Sequence, residues 1–527
     1  MSQCGPAIQL QLGCYPAAML PQIEGSAHTR RGAHRKQAKL QKEKAVYGAL
    51  LLAGFVFRFI IAQTTWRQPD SDEATGMIMA LQAARGHLSL VFWGGNYGGA
   101  VMSWIEAPLV LIFGLNLWMF WVIDTAVTLV GVLIFGALCR RLLPPVAAAA
   151  AAGSFWFFPA LWIFWSSREY AFWLPAIVFA LASCLLLLRW IERHQHSDLL
   201  GFGLCAGLAI WSYPLTAPLL IPPLGIFIMA ERHRLANVLR AAAAAVLGVS
   251  PWLAFFVVHG RKAFTLQQTT GGLYAPLRHS VTQVLPTALF GGQKRSDVIW
   301  ATPMLSPHRA EAVGMVIMAI SLLVALVSMF TRRIGILACA LSVILWPVLL
   351  VLGHVPIAVA TFRYGFIVLP PILVIAGYLV SLVRASVLFG GLTLLSSTWI
   401  TFSDTGHLSA APSCNVSVTS VDRWLVAHDR TAVWASYWLA GPMEVCDYRY
   451  LTVSAVAPIR DHAAEIAALK APVSTYVVFS GNQLDAELLA WMHANPGTAQ
   501  RMLVAGYAVY TFDRATEPAQ MRLVGAF

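Results

Sequence analysis

The chain has 527 residues, of which 58% are hydrophobic and only 11% charged, and its mean hydropathy is +0.67. That balance excludes an ordinary water-soluble globule and a disordered polyelectrolyte, and points to a polytopic membrane protein. The formal net charge of +12 calls for no nucleic-acid partner, because the basic residues concentrate in the amino-terminal tail and in short loops, where anionic lipid headgroups supply the counter-charge.

Residues 1–44 carry Arg30, Arg31, Arg35, Lys36, Lys39, Lys42 and Lys44 with no apolar core, so they do not read as a cleavable signal peptide. A polar, disordered cytosolic tail is expected there. From residue 45 to residue 402, apolar runs of roughly 17 to 25 residues recur, each long enough to cross a bilayer. They lie near 46–63, 115–138, 146–164, 171–189, 199–213, 216–230, 239–258, 311–330, 334–353, 365–383 and 386–402, which makes about eleven expected transmembrane helices. With the tail inside, the loops holding Arg140 and Arg141, Arg189 to Arg193, Arg232 to Arg240, Arg332 and Arg333, and Arg384 all fall on the cytosolic side, as the positive-inside rule requires. The acidic segment after the first run, the loop from Ser166 to Ala171, the long loop from about 259 to 310, the turn at Arg363 and everything after Phe402 then face outward. The expected setting is a bacterial inner (plasma) membrane, crossed many times, with the amino terminus cytosolic.

The first outer segment opens with Asp70, Asp72 and Glu73. Charges cost several kcal/mol in hydrocarbon, so ionisable groups beside a bilayer usually line a water-filled site or pair with one another. Mutual repulsion among three acids should also raise at least one pKa toward the range of a useful proton acceptor. Met77, Ala80, Leu81 and Ala84 follow at helical spacing, predicting an interfacial helix over 73–84 lying on the membrane. On a simpler reading the acids only start that helix, where its dipole favours negative charge. Trp93-Gly94-Gly95-Asn96-Tyr97-Gly98-Gly99 then forms an aromatic and glycine loop, and Glu106 lies in the apolar stretch that ends at Gly114.

Residues 403–527 read as a separate small α/β domain. Strands are expected over 432–437, 448–453, 475–479 and 503–512, and helices over 421–427, 462–469 and 484–493. Neither a phosphate-cradling glycine loop nor metal-ligand spacing occurs in it, which suggests a supporting or binding role. Of the eight cysteines only Cys414 and Cys446 fall in this outer region, the oxidising side, so one disulfide between them is expected.

Several landmarks, in their order, resemble the C-type polytopic glycosyltransferases: Gln68-Pro69-Asp70-Ser71-Asp72-Glu73-Ala74, Tyr97-Gly98-Gly99, Ala107-Pro108-Leu109 through Phe113-Gly114, and Phe362-Arg363-Tyr364. The likeness is greatest to bacterial relatives of the protein O-mannosyltransferases and of the lipid A aminoarabinose transferase; Tyr437-Trp438 in the tail also matches a pair found in bacterial members. The resemblance implies transfer of a sugar from a polyprenyl-phosphate carrier to an acceptor hydroxyl on the outer face, with Asp72 as general base. Relatives often carry a glutamate where this chain has Met102, and Glu106 shares a helical face with that position.

The residues themselves fit such chemistry. A sugar 1-phosphodiester has a leaving group already stable as an anion, so one carboxylate suffices to take the acceptor proton, whereas a glycosidase usually needs two flanking carboxyls. Asp72 with Glu73 beside it is the expected catalytic pair, while Asp70, Tyr97, Glu106, Arg168, Arg363 and Tyr364 are candidates for holding substrate. Arg363 can grip phosphate oxygens with its fork or simply snorkel at the interface. Arg168 reads more simply as one half of a local pair with Glu169 that closes a tight loop. Asp70-Ser71-Asp72 also fits a D-x-D metal site for a nucleotide sugar, but nucleotide sugars are cytosolic, so a metal-independent reaction is expected and no cofactor is assigned. The alternative class is a transporter or flippase of lipid-linked sugars, which predicts paired repeats with interrupted helices; a catalytically inactive lipid-linked sensor is a third. The sequence identifies neither the sugar nor the acceptor.

Overall fold

The computed structural model describes residues 48–63, 68–168, 172–260, 274–293, 301–302, 304–353, 359–405, 414–457 and 460–523. The basic tail, Glu169, Arg261, Lys262 and His354, and the side chain of Tyr97, lie outside the described residues.

Helix α1 is Gly48–Ala62. Helix α2 (Ser71–Ala84) comes next, then a hairpin of β1 (Val91–Phe92) and β2 (Gly95–Gly99), and α3 (Val101–Phe113). The helices α4 (Leu117–Leu142), α5 (Pro145–Phe157), α6 (Ala160–Trp165), α7 (Trp173–Arg193) and α8 (His196–Ser212) follow. After them come α9 (Ala217–Glu231), α10 (Leu235–His259), α11 (Tyr274–His279) and α12 (Leu285–Phe290). A short pair, β3 (Gly292–Gln293) and β4 (Ala301–Thr302), precedes α13 (Pro307–Phe330), α14 (Ile334–Leu352), α15 (Leu369–Leu382) and α16 (Ser386–Thr405); a 3-10 turn, Val359–Val368, leads into α15.

Among the described residues seven helices are long and apolar enough to cross a membrane: Leu117–Leu142, Trp173–Arg193, Pro214–Glu231, Leu235–His259, Pro307–Phe330, Ile334–Leu352 and Phe362–Leu382. The run expected over 146–164 is not one helix. It breaks into α5 and α6 at Phe158 and Pro159, because proline has no N–H to continue the ladder. Apolar side chains such as Val257 and Val258 on α10, Phe330 on α13, and Val387 and Trp399 on α16 face outward, as a lipid-facing surface requires. Helices α8 and α10 meet through Gly203, Gly207 and Gly248. A Cβ at Gly203 would lie 2.1 Å from the Ala241 carbonyl oxygen and one at Gly207 2.0 Å from that of Ala245, the close backbone approach that small residues allow in membranes.

Trp156, Trp162 and Trp165 are buried in the core against Phe155, Trp346, Phe362 and Phe366. The expectation of a helix lying on the membrane over 73–84 needs correction: in α2, Ala74, Met77, Ile78 and Ala80 are buried, covered by α3 on one side and by the carboxyl-terminal part on the other. The exposed apolar surface of this segment belongs to α3, at Leu111, Ile112 and Phe113.

The carboxyl-terminal part contains α17 (Val416–Ala427), β5 (Ala432–Ala435), α18 (Tyr437–Cys446), β6 (Thr452–Ala455), α19 (His462–Lys470), β7 (Thr475–Phe479), α20 (Gln483–Ala494), β8 (Ala499–Val504) and β9 (Tyr507–Phe512). Its strands form one mixed sheet in the order β6-β5-β7-β9-β8, with β5 parallel to β6 and β7, and β9 antiparallel to β7 and β8. Strand alternation sends Val433, Ala435, Val477 and Val509 into one apolar cluster and Trp434, Tyr476, Val478 and Tyr510 into the other, so both faces are covered. The strand expected over 503–512 is a hairpin, turned at Ala505 and Gly506 with φ of 50° and 91°, the left-handed pair a tight hairpin needs. The strand expected from Tyr448 begins only at Thr452, and α18 was not expected at all, Pro442 sitting inside it.

Candidate active site

Asp70 sets the register of the site. Its carboxylate accepts from the Glu73 N–H at 3.0 Å while Glu73 reaches back to the Asp70 N–H at 3.4 Å, a reciprocal capping box that starts α2. The helix then sends Asp72 and Glu73 in different directions. Glu73 is bound by Arg168, whose Nε donates to Oε2 at 2.8 Å and whose Nη2 also contacts it; Arg168 is further tied to the Gln68 carbonyl at 2.5 Å and stands 4.0 Å from Asp70. Arg168 thus pairs across the fold. Burial pushes Glu73 up to about 7, more than the neighbouring Arg168 pulls it down.

Asp72 faces a small cavity of about 50 Å³ walled by Phe92, Gly94, Gly95, Phe172, Trp173, Tyr213, Arg363, Tyr364 and Arg460. Arg363 Nη1 lies 3.2 Å from its Oδ2, Arg460 Nη2 2.8 Å from its Oδ1, and the Tyr437 hydroxyl donates to Oδ1 at 2.8 Å. Burial alone would raise this carboxyl, but Arg460, Arg363 and the Tyr437 hydrogen bond outweigh it and hold the group at about 2. The repulsion expected among the three acids therefore does not raise Asp72: cations brought from elsewhere in the fold dominate its environment. One carboxylate between two guanidiniums leaves the cavity with an excess positive charge, suited to an anionic ligand.

Each partner is placed by a different element. Arg363 comes from the 3-10 turn before α15, lies 5.7 Å from the Trp165 ring centre, and follows the buried Phe362. The next residue, Tyr364, is fixed by its carbonyl, which accepts from Trp346 Nε1 at 2.9 Å. Tyr437 is the first residue of α18, which packs on α2 so closely that a Cβ at Gly441 would lie 2.8 Å from that of Ala74. The last residue of α18, Cys446, is disulfide-bonded to Cys414. Arg460 is held between rings, 5.3 Å from the centre of Phe92 and 4.9 Å from that of Tyr437. It crosses Gly94 of the hairpin turn, whose φ of 73° disfavours any other residue and where an added Cβ would lie 3.0 Å from Arg460 Cγ.

The other candidates lie apart. Glu106 is fully buried in α3 and is not among the cavity walls. Asp70 is taken up with capping, so the two aspartates of the D-x-D reading do not converge; among the described residues no group of three or more His, Cys, Asp or Glu is gathered as a metal ion would need. The sequence reading missed Arg460, a single arginine in a soluble tail with no motif around it. For Tyr437 it had only the pairing with Trp438, and its contact with Asp72 spans 365 positions.

Residues 99–255 match the family model of dolichyl-phosphate-mannose-protein mannosyltransferases. The structure of ArnT from Cupriavidus metallidurans bound to undecaprenyl phosphate superposes with a TM-score of 0.56 at 11% identity, covering 88% of this chain and 98% of that one. The chain thus shares the fold of that enzyme and, over residues 99–255, is similar to the mannosyltransferase family. An Archaeoglobus fulgidus oligosaccharyltransferase in complex with Zn and sulfate matches at a TM-score of 0.47 and 12% identity, over 81% of this chain and 67% of its own. No curated protein matches the chain in sequence. The matched segment runs from the end of the β1–β2 hairpin into α10.

Proposed function

We propose that the protein transfers a sugar from a polyprenyl-phosphate carrier to an acceptor hydroxyl at the outer face of a bacterial inner membrane, with Asp72 as general base. The observation that carries this reading is the cavity in which one carboxylate faces two guanidiniums, pairing a proton acceptor with a phosphate-binding charge. Arg363, in the proposal, holds donor phosphate oxygens, and Tyr364 and Tyr213 line the sugar's position. Attack of the acceptor oxygen at the anomeric carbon inverts its configuration. The carrier-bound ArnT structure lends support to the donor class.

The same proposal takes eleven helices as spans, adding α1, α5, α8 and α16 to the seven long apolar ones. It divides the chain into a cytosolic tail at 1–44, a transmembrane catalytic part at 45–402 and an outer domain at 403–527. Orientation is supported by the basic connections. Arg140 and Arg141 end α4, Arg193 ends α7, Arg232 follows α9, Arg333 precedes α14 and Arg384 follows α15. Arg168, Trp173, Tyr213 and Arg363 belong to the opposite helix ends. With the basic ends cytosolic, the cavity faces outward.

Asp72→Asn tests the reading. Transfer, followed by mass analysis of envelope glycans and glycoproteins from a deletion strain carrying the variant, is expected to fall by about 10²–10⁴-fold, the usual contribution of a positioned base. Undiminished transfer would remove Asp72 from the mechanism. Transport of lipid-linked sugar that persisted in the variant would favour a flippase instead.

A further inference from the structure

We propose that Arg460 and Arg363 mask Asp72 until a donor phosphate arrives, so that donor binding itself uncovers the base, with one of the two releasing cations supplied by the carboxyl-terminal domain. The inference rests on the function proposed above and adds to it a role for Arg460 and an order of events.

Three observations carry it. Both oxygens of Asp72 are engaged, Oδ1 by Arg460 and Tyr437 and Oδ2 by Arg363, and a carboxylate that accepts from two cations has little affinity left for a proton. Both guanidiniums are already directed at Asp72 across the cavity, so a phosphate that binds them meets the carboxylate as a competitor. Finally, the Arg460 guanidinium is stacked on Phe92 and Tyr437, faces along which it can shift while keeping its cation–π attraction. A phosphodiester offers the same forked acceptor geometry as a carboxylate and competes directly for both arginines.

The chemistry then balances. The acceptor oxygen forms the new bond to the anomeric carbon as the bond from that carbon to the phosphate oxygen breaks. The bonding pair leaves on the phosphate, held by Arg363 and Arg460, and the acceptor proton passes to the freed Asp72 carboxylate. Arg460 is thus a substrate-contacting residue contributed by the carboxyl-terminal part.

Binding of undecaprenyl phosphate to the full-length protein in nanodiscs tests the exchange. Arg460→Gln is expected to weaken it at least tenfold, and Arg460→Lys to restore part of the loss. Asp72→Asn is expected to tighten it several-fold, because the lipid no longer competes with a carboxylate, and the gain should disappear in Asp72→Asn/Arg460→Gln. Unchanged affinity in Arg460→Gln, or no tightening in Asp72→Asn, overturns the proposal. Should Arg460→Gln fail to fold, the Asp72→Asn measurement alone decides. Failure of the underlying function shows itself separately, as sugar transfer surviving in Asp72→Asn.

Discussion

Two ion-pair centres share the first turn of α2 and differ in how far water reaches them. Around Asp72 the side chains keep part of their surface, 16% for Asp72, 23% for Arg363 and 18% for Arg460, whereas Arg168 and Glu73 keep 3% and 5%. The chemistry of the pairs is the same. A partly hydrated pair can exchange one anion for another, while a sealed pair can only hold, and here it holds the turn that aims Asp72. The capping box couples the two centres, since Asp70 and Glu73 fix the backbone from which Asp72 projects.

The sharpest way to break this contrast is to remove one partner from the sealed centre. Arg168→Met leaves Glu73 buried without its cation, which typically costs about 3–5 kcal/mol. Denaturation in detergent should register that loss, while the folded fraction keeps its affinity for undecaprenyl phosphate. A variant that stays stable but loses the lipid would make Arg168 part of the exchanging centre. Next in size is the disulfide that anchors the carboxyl end of α18. Cys414 and Cys446 lie 32 positions apart, and closing such a loop is worth about 3 to 4 kcal/mol. Cys446→Ser should lower the unfolding midpoint and, by loosening α18, reduce activity in the fraction that remains folded. Unchanged stability would show that α18 is held by its packing on α2 alone.

The sealed centre was only half legible in the sequence. Hydropathy marks spans because lipid-facing and core-facing residues are both apolar, and Asp72 stands out because acids beside a bilayer are costly. Those arguments are local. Glu73 and Asp72 look alike to them, and only the fold reveals that one meets Arg168 and the other Arg363 from 291 positions away. Arg460 was invisible for the same reason: an arginine in a water-soluble segment is ordinarily a solvated charge, and its function comes from Gly94, Phe92 and Tyr437 closing around it. The sequence puts Gly94 in an aromatic and glycine loop, with no sign of the arginine that packs across it.

Glu73 offers a pH signature for the sealed side. Its folded pKa, about 7, lies above the ordinary glutamate value near 4.3 in an unfolded chain. An acid whose pKa is raised by folding stabilises the fold fully below its unfolded pKa and loses that contribution as pH rises through the folded value. Stability should therefore fall between about pH 4.5 and 7.5, by up to about 3 kcal/mol, and Glu73→Gln should flatten that part of the profile. A profile identical in parent and variant would mean that Arg168 keeps Glu73 ionised throughout.

The smallest expected effect falls on the exchanging side, in Tyr437→Phe. The hydroxyl donates to Asp72 Oδ1, which Arg460 also meets as an ion pair, and a hydrogen bond of this kind is worth about 0.5–1.5 kcal/mol net. The ring that stacks on Arg460 is retained, so donor affinity should hold while turnover drops by roughly two- to tenfold. The direction separates two roles. If Tyr437 only orients Asp72, kcat falls and KM stays. If its hydroxyl instead keeps the resting carboxylate occupied, losing it raises the basicity of Asp72, and the variant turns over faster at the same KM. An increase in KM alone would place the hydroxyl against the substrate.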